Sequence, residues 1–314
     1  MIDFRYHIVS IVAIFFALGA GVVLGAGPLK GAGSDLVQAQ ADKDRATVED
    51  QREQLIQAKA LDKYRDDYVA KVTAGLTDGK LTGKQIVLVT MPNAASDMTD
   101  SIQDAVEQAG GQVTTRVSLD SKLFDPGQRQ LVEPLVNDLV TSDIDFPKES
   151  NTYQRAGMIL ARGVAAKEGA KIVDSDALKI INGLASAKLV SLKTPKDRAS
   201  LIVVVAAKPP TPLPDNSSYN DAVDFAEGLD GASAGVVVAG TPESAQNGGL
   251  LKSLRGDADA TKVLSSVDVA NLPSGQMTVV FALVEQATGK AGQYGGIDAK
   301  NGVAPSADMV KGNN

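Results

Sequence analysis

Few side chains in this sequence could carry catalytic chemistry. The chain contains no cysteine and one histidine, His7, which precedes a long apolar run. Thiol catalysis, disulfides, cysteine-ligated metals and, outside His7, a histidine base are therefore excluded. Asp120 and Asp268 each follow an apolar, strand-like stretch and are the best carboxylate candidates, although helix capping or turn formation explains them more simply. The sequence predicts no catalytic residues and a protein that is not an enzyme.

Neither a nucleotide cofactor nor a metal ion has a recognisable site. The turns after two strand-like runs read TMPNAASD (90–97) and AGTPESAQ (239–246). They lack the glycine fingerprint that lets backbone N–H groups approach a pyrophosphate, and Pro92 removes a further donor. Met91 and Met98 are seven residues apart, which is more typical of core packing than of a copper site. We therefore predict no cofactor and no metal site.

The N-terminal segment is predicted to be a transmembrane helix over residues 8–29. Residues 6–29 contain no Asp, Glu, Lys or Arg. As a helix they would measure about 36 Å, enough to cross a hydrocarbon core of about 30 Å. A cleaved signal peptide is the competing interpretation. It is less favoured because Asp3 offsets the charge of Arg5, and because Pro28 follows the candidate cleavage site.

Small residues recur at every fourth position along this helix. Such a stripe lets two helix backbones approach closely, so that packing drives their association in lipid. The alternative explanation is that Gly and Ala are simply common in membrane helices. We predict that the stripe pairs two copies of the helix through Ala13, Ala17, Gly21 and Gly25.

A long polar helix is predicted over residues 34–76, after a break at Gly31 and Gly33. Residues 36–74 contain neither Gly nor Pro and would extend about 60 Å at the rise of an α-helix. A helix of this length needs a partner, and its heptad pattern, although interrupted by polar residues, predicts a weak parallel coiled coil. A single helix folded back on its own domain is the alternative. The predicted seam consists of Val37, Ala41, Val48, Leu55, Ala58, Val69 and Val72.

Beyond this helix the sequence alternates between strand-like and helix-like patterns. The runs IVLV (86–89) and IVVV (202–205) are typical of strands buried on both faces. They indicate a largely parallel sheet covered by helices. We predict a Rossmann-like α/β domain over residues 84–290 and a flexible tail, rich in Gly, Asn and Ala, over residues 291–314.

Two stretches of the α/β domain look like copies of one unit. The first reads IVLVTMP, a helix, a strand, SLD and then PGQ before another helix; the second reads GVVVAGTP, a helix, a strand, SVD and then SGQ. Pro92 aligns with Pro242, and Asp120 aligns with Asp268. This similarity predicts two pseudo-repeated βαβα halves.

Composition narrows the range of partners. Hydrophobic residues make up 44% of the chain, which is enough for a folded core. The net charge of −7 argues against a nucleic-acid surface, because binding to phosphates requires clustered Lys and Arg.

The opening residues, MIDFRYHIVSIVAIFFALGAGVVLGAGPL, resemble the N-terminus of an actinobacterial envelope family. The family is named MctB for copper transport and SteB for cell separation. The order of elements agrees: an anchor, a polar helix, and an α/β domain with IVLVTMP and an SGQ turn near the end. The resemblance covers nearly the whole chain, except for residues 141–208.

The resemblance implies a protein of the cytoplasmic membrane with residues 1–7 inside and the large domain outside, facing the cell wall. The copper name implies a channel or exporter that limits intracellular copper. The cell-separation name implies a partner of the cytoplasmic protein SteA that controls a peptidoglycan hydrolase outside the membrane. A single membrane helix encloses no pore and soft copper ligands are scarce, so the residues themselves favour the second role.

The leading hypothesis is thus a homodimeric, non-enzymatic envelope scaffold embedded in membrane lipid, with copper transport as the alternative. A carboxylate-dependent enzyme built on Asp120 and Asp268 is a third, less favoured possibility. The polar helix and the α/β domain are expected to bind a hydrolase that carries its own helical segment. The predicted contacts with the SteA-like partner are Asp3, Phe4, Arg5 and Tyr6.

Overall fold

A computed structural model describes residues 4–26, 29–167, 171–210 and 217–306. The chain divides into two compact units, Met1–Arg65 and Asp66–Asn314. In its described residues the first unit is helical, and the second is an α/β domain.

The first helix, α1 (Phe4–Ala26), is apolar on all sides. Within the described part of the chain it is the one helix that is long and apolar enough to cross a membrane, over Tyr6–Gly25 with a mean hydropathy of 2.6. Its large side chains are exposed, with Phe16 at 79%. A helix that is apolar all round is stable in lipid rather than in water. This helix agrees with the predicted single-pass anchor.

The second helix, α2 (Leu29–Thr77), is 49 residues long and extends from the first unit into the second. It runs through Gly31 and Gly33, so the predicted break at these glycines and the predicted start at Ser34 are wrong. A helical glycine costs only about 1 kcal/mol relative to alanine, which the neighbouring helix-favouring residues outweigh.

The described residues of the second unit form nine strands. These are β1 (Gln85–Thr90), β2 (Gln112–Leu119), β3 (Lys171–Ile172), β4 (Val190–Leu192), β5 (Asp197–Arg198), β6 (Leu201–Val205), β7 (Val236–Ala239), β8 (Leu264–Val267) and β9 (Gln293–Tyr294). Seven form one sheet in the order β4-β2-β1-β6-β7-β8-β9, parallel throughout except for β4. The strands β3 and β5 form a separate antiparallel pair. The largely parallel, Rossmann-like sheet confirms the predicted fold class.

Eight helices follow α2 in the described chain. These are α3 (Ser96–Gln108), α4 (Arg129–Asp138), α5 (Thr152–Val164), α6 (Ser175–Ser186), α7 (Ser217–Gly231), α8 (Leu250–Gly256), α9 (Ala260–Val263) and α10 (Pro273–Gln286). Helices α3 and α10 cover one face of the sheet, and α4 to α9 cover the other. The central strands therefore lie between two apolar cores.

Strand β1 shows why these residues form a central strand. Successive side chains of a strand point to opposite faces. Val87 and Val89 accordingly enter the core beneath α4 to α9, and Ile86 and Leu88 enter the core beneath α3 and α10. All four are fully buried, which explains the unbroken apolar run.

The two predicted halves lie on either side of β6. In the first half β1 is followed by α3, β2 and α4; in the second, β7 is followed by α8, α9, β8 and α10. The second strand of each half lies outside the first. Helices α3 and α8 lie on opposite faces, as do α4 and α10. An approximate two-fold axis along the strands would exchange the halves in this way, in agreement with the predicted pseudo-repeat.

The segment after Ala291 differs from the predicted flexible tail. Gln293 and Tyr294 form β9, pair with β8 and are almost completely buried. The Tyr294 hydroxyl donates a hydrogen bond of 2.5 Å to Glu285 of α10. Residues 293–294 therefore form a strand where a flexible tail was predicted, because pairing with β8 and the hydrogen bond to α10 hold them; residues 307–314 lie outside the described residues.

Candidate functional site

The small-residue stripe lies on α1, where the structure leaves it open. Ala13, Ala17, Gly21 and Gly25 are all exposed. A Cβ atom added to Gly21 or Gly25 would meet no other heavy atom within 4 Å. This face has room for a second helix backbone, and the pairing itself remains a prediction.

The predicted seam on α2 falls into two parts. In the first unit, Val37, Val48 and Leu55 are 71%, 63% and 54% exposed, Ala58 is exposed, and Ala41 is partly exposed. This is a row of apolar side chains on a water-exposed helix.

The remaining members of the seam, Val69 and Val72, are half-buried within the second unit. Close to them, the Thr73 hydroxyl lies 3.8 Å from the Met277 sulfur of α10. The end of α2 therefore packs on its own domain, as the fold-back alternative expects for this part. The exposed part of the seam is restricted to residues 37–58.

The residues predicted to contact a cytoplasmic partner lie at the start of the chain. Asp3 lies outside the described residues. Phe4 and Arg5 form the first turn of α1, and the side chain of Tyr6 is 75% exposed. Tyr6 is thus accessible, and its contact with a partner remains a prediction.

The two candidate carboxylates do not form a common site. Asp120 accepts a hydrogen bond of 3.0 Å from the Lys122 backbone N–H and so caps a short 3-10 helix, as the simpler interpretation predicts. Asp268 is fully buried and forms a 2.6 Å ion pair with Arg255. They follow β2 and β8, four strand spacings or about 19 Å apart in the sheet. Each carboxylate therefore has a structural partner of its own.

Arg255 and Asp268 form the centre of a fully buried network. Arg255 also donates to the Ser266 hydroxyl at 2.9 Å and to the Tyr294 carbonyl oxygen at 2.7 Å. Asp268 accepts hydrogen bonds from the backbone N–H groups of Gly296 and Ile297 at 2.7 and 2.9 Å. The network ties the segment after β9 to the sheet, which sequence patterns did not indicate.

Metal ligands are sparse in the part of the chain that the structure describes. No group of three or more His, Cys, Asp or Glu side chains there could hold a metal ion. Met98 is buried in the apolar core of α3, whereas Met91 is only partly buried. The donor set offers no soft-metal cluster within these residues.

A crevice lies beyond the carboxyl ends of β1 and β6, where the sheet order changes direction. In doubly wound folds, ligands bind at this position. The crevice has a volume of about 420 Å³ and is lined mainly by apolar side chains, including Met91, Phe124, Tyr219 and Leu250. Burial raises the pKa of Tyr219 above its usual value. Met91 directly follows β1 and could have been found from the sequence, whereas Tyr219 and Leu250 belong to helices that begin more than ten residues after the preceding strand.

Two of the charged groups around the crevice already have partners. The Lys208 ammonium lies 3.4 Å from Glu243, and Asp125 accepts a 2.8 Å hydrogen bond from the Gly127 N–H. Pro92 follows β1 directly and offers no N–H, while Asn93 adopts a positive φ of 64°. The crevice therefore suits an apolar group rather than a nucleotide phosphate.

Known proteins resemble this chain over almost its full length. A sequence profile of the family described as "Copper transport outer membrane protein, MctB" matches residues 1–305. The copper transporter MctB of Mycobacterium tuberculosis is 29% identical over 313 residues, covering 94% of this chain and 96% of that protein. The copper transporter MctB of Mycobacterium leprae is 25% identical over 312 residues, with the same coverage. The anchor, the long helix and the α/β domain together are therefore those of a member of the MctB family.

Proposed function

We propose that this chain is a membrane-anchored, non-enzymatic scaffold of the cell envelope that regulates cell separation. It couples a SteA-like cytoplasmic partner to a peptidoglycan hydrolase outside the membrane. The observation that carries the proposal is the exposed apolar row on α2, formed by Val37, Val48 and Leu55. Such a row on a long polar helix favours pairing with another helix.

Two copies of the chain would pair along α1 and α2. The stripe on α1 is accessible from lipid, and the row on α2 continues the apolar pattern after Leu29. A loosely filled seam also leaves room for a helical segment of the hydrolase. The structural roles of Asp120 and Asp268 support a scaffold rather than an enzyme.

The proposed location is the cytoplasmic membrane, with the amino terminus inside. Arg5 and the terminal amine would lie on the cytoplasmic side, as the positive-inside rule favours. The family description instead names the outer membrane. A cysteine placed beside Lys30 or near Met1 and labelled with an impermeant maleimide in intact cells distinguishes the two ends of the helix. Labelling beside Lys30 alone supports the proposed orientation.

The seam provides a direct test of the scaffold. Val48→Glu together with Leu55→Glu places charge in the row, while the exposed positions leave the fold unaffected. Ala46→Glu together with Ala60→Glu is the matched control on the opposite side of the same helix. In a strain that lacks the gene, we expect the control to restore cell separation and the seam variant to leave chains of unseparated cells. Full restoration by the seam variant would refute the role of the seam.

Copper transport is the second candidate, because the relatives bear that name. Copper would then be the substrate, and transport would require donors or subunits beyond those described here, since the chain has no cysteine and one histidine. Calorimetric titration of the full chain in detergent with Cu(I) tests this role. Binding at micromolar concentration would support copper transport, and an absence of heat would favour the scaffold.

A further inference from the structure

Three Asn-Gly pairs occur in the chain, at residues 182–183, 247–248 and 301–302. In such a pair the backbone nitrogen of the glycine can attack the side-chain carbonyl carbon of the asparagine, because glycine has no side chain to shield it. The amide nitrogen leaves as ammonia and a cyclic succinimide remains, which water opens to aspartate or isoaspartate. The reaction needs an asparagine side chain that can turn and a glycine nitrogen that no hydrogen bond holds in place.

The first pair lies inside helix α6. Helical geometry bonds the Gly183 N–H to the carbonyl oxygen one turn earlier. A Cβ atom on Gly183 would lie 2.7 Å from the Leu139 side chain, so this part of the backbone is also packed against the domain. Succinimide formation at Asn182 therefore requires local unfolding of the helix.

The third pair is at the surface but is held by hydrogen bonds. The side-chain oxygen of Asn301 accepts a 2.8 Å bond from the Gln293 N–H, and the Asn301 N–H donates to the Gln293 carbonyl oxygen at 3.0 Å. The Gly302 N–H donates to the Ala299 carbonyl oxygen at 3.3 Å. Because both reacting groups are engaged, this pair reacts only after its contacts with β9 break.

The second pair has neither restraint. Asn247 is exposed in the turn between the 3-10 helix Pro242–Ala245 and α8. Within the described residues its side chain makes no hydrogen bond, and the Gly248 N–H donates none. Both reacting groups of this pair are therefore available in the folded protein.

We propose that Asn247 is a site of spontaneous deamidation in the folded protein, and that Asn182 and Asn301 are protected from the same reaction. Each conversion replaces a neutral amide with a carboxylate and adds one negative charge to a chain whose net charge is −7. The site is independent of the scaffold role, since Asn247 belongs to neither the stripe on α1 nor the row on α2.

The structural consequence falls on α8. In the isoaspartate product the main chain runs through the former side-chain carbonyl carbon and is longer by one carbon. The end of the turn has little room for it, because the Gly249 N–H donates to the Gln246 carbonyl oxygen at 3.0 Å and a Cβ on Gly249 would overlap the Ser244 carbonyl oxygen. Helix α8 begins at the next residue, Leu250, which lines the crevice. Isoaspartate therefore displaces the start of α8, whereas aspartate leaves the main chain unchanged.

Peptide mapping by mass spectrometry measures the conversion at each asparagine. The full chain in detergent micelles is incubated in mildly alkaline buffer, either folded or in concentrated urea. In urea the three pairs should react at similar rates, because glycine follows each asparagine. In the folded protein we expect Asn247 to stay within roughly threefold of its rate in urea, and Asn182 and Asn301 to slow by at least about tenfold, since local opening must come first. Protection of Asn247, or equal conversion of all three in the folded protein, would overturn the proposal.

Two variants test the chemistry and its consequence. Asn247→Gln is the matched control, because glutamine must close a larger ring, and the acidic species that anion exchange separates should form far more slowly in it. An acidic species that forms as fast in this variant would contradict the proposal. Asn247→Asp carries the new charge without the additional main-chain carbon. We expect the isoaspartate fraction to unfold at a midpoint a few degrees below that of this variant, and equal midpoints would show that the start of α8 is not displaced.

Discussion

Gly157 of α5 and Gly228 of α7 lie where the backbones of these two helices touch. A Cβ atom on Gly157 would overlap the carbonyl oxygen of Phe225, and one on Gly228 would overlap the carbonyl oxygen of Gln154. No side chain fits between the helices at this crossing. The close approach fixes α5, which carries Arg162, against α7 in the core.

Replacing either glycine with alanine should destabilise the domain. We expect Gly157→Ala and Gly228→Ala each to lower the free energy of unfolding by about 2–3 kcal/mol, since the backbones must separate. Gly75→Ala is the control, because a Cβ there meets nothing within 4 Å and alanine favours the helix. Urea unfolding of the three variants and of the unchanged protein measures the differences in the free energy of unfolding. Equal stabilities would show that the crossing relaxes freely.

Because Asp268 belongs to a buried ion pair, replacing it should lower the free energy of unfolding strongly. Asp268→Asn leaves Arg255 buried without its counter-charge, and we expect a loss of about 3–5 kcal/mol. We also expect proteolysis within residues 291–306, which the network holds. Asp298→Asn serves as the control, since its pair with Lys252 is exposed and should change the stability little. Resistance of the Asp268 variant to proteolysis would disprove the anchoring role.

Asp230 on α7 predicts a pH dependence of stability. Burial raises its pKa from 3.8 to about 6. The folded state therefore binds a proton more tightly than the unfolded state, and this group makes stability fall as pH rises from about 4 to about 6. We expect Asp230→Asn to be more stable than the unchanged protein above pH 6, by roughly 1–3 kcal/mol, and similar to it below pH 4.

Urea unfolding across this pH range checks the Asp230 prediction. Asp104→Asn, at an exposed position of α3, is the control and should leave the pH dependence unchanged. A constant difference between Asp230→Asn and the unchanged protein at every pH would show that the carboxyl group does not titrate in this window.

If two copies of α1 pair through the stripe, dimerisation should be sensitive to larger side chains at Gly21 and Gly25. Gly21→Leu with Gly25→Leu fills the stripe with bulk, so the helix backbones can no longer approach, and we expect dimerisation in a membrane-association assay to weaken about tenfold. Gly19→Leu lies on the opposite side of α1 and is the control. Unchanged dimerisation of the double variant would show that the stripe does not pair the helices.

The sequence predicted the features that rest on local pattern. The runs 86–89 and 202–205 are apolar at every position because both faces of their strands are covered. This pattern allowed the parallel sheet to be predicted. The alignment of Asp120 with Asp268 in the two sequence copies located the two halves. Their different surroundings, a turn and a buried ion pair, were not visible because they depend on distant residues.

The features that the sequence missed arise from tertiary contacts. Strand β9 has only two residues, and its position depends on Arg255 and Glu285. The hydrogen bond from Arg198 to the carbonyl oxygen of Arg162 joins residues 36 positions apart. The start of α2 was misplaced because glycine predicts a break, whereas the cost of a helical glycine is small compared with the stability of a 49-residue helix.

Deletion of the gene tests the central claim most directly, with cell separation and copper tolerance measured in the same strain. The scaffold account predicts chains of unseparated cells, unchanged copper tolerance, and rescue by the full chain. Normally separated cells that are hypersensitive to copper would contradict the scaffold and support copper transport.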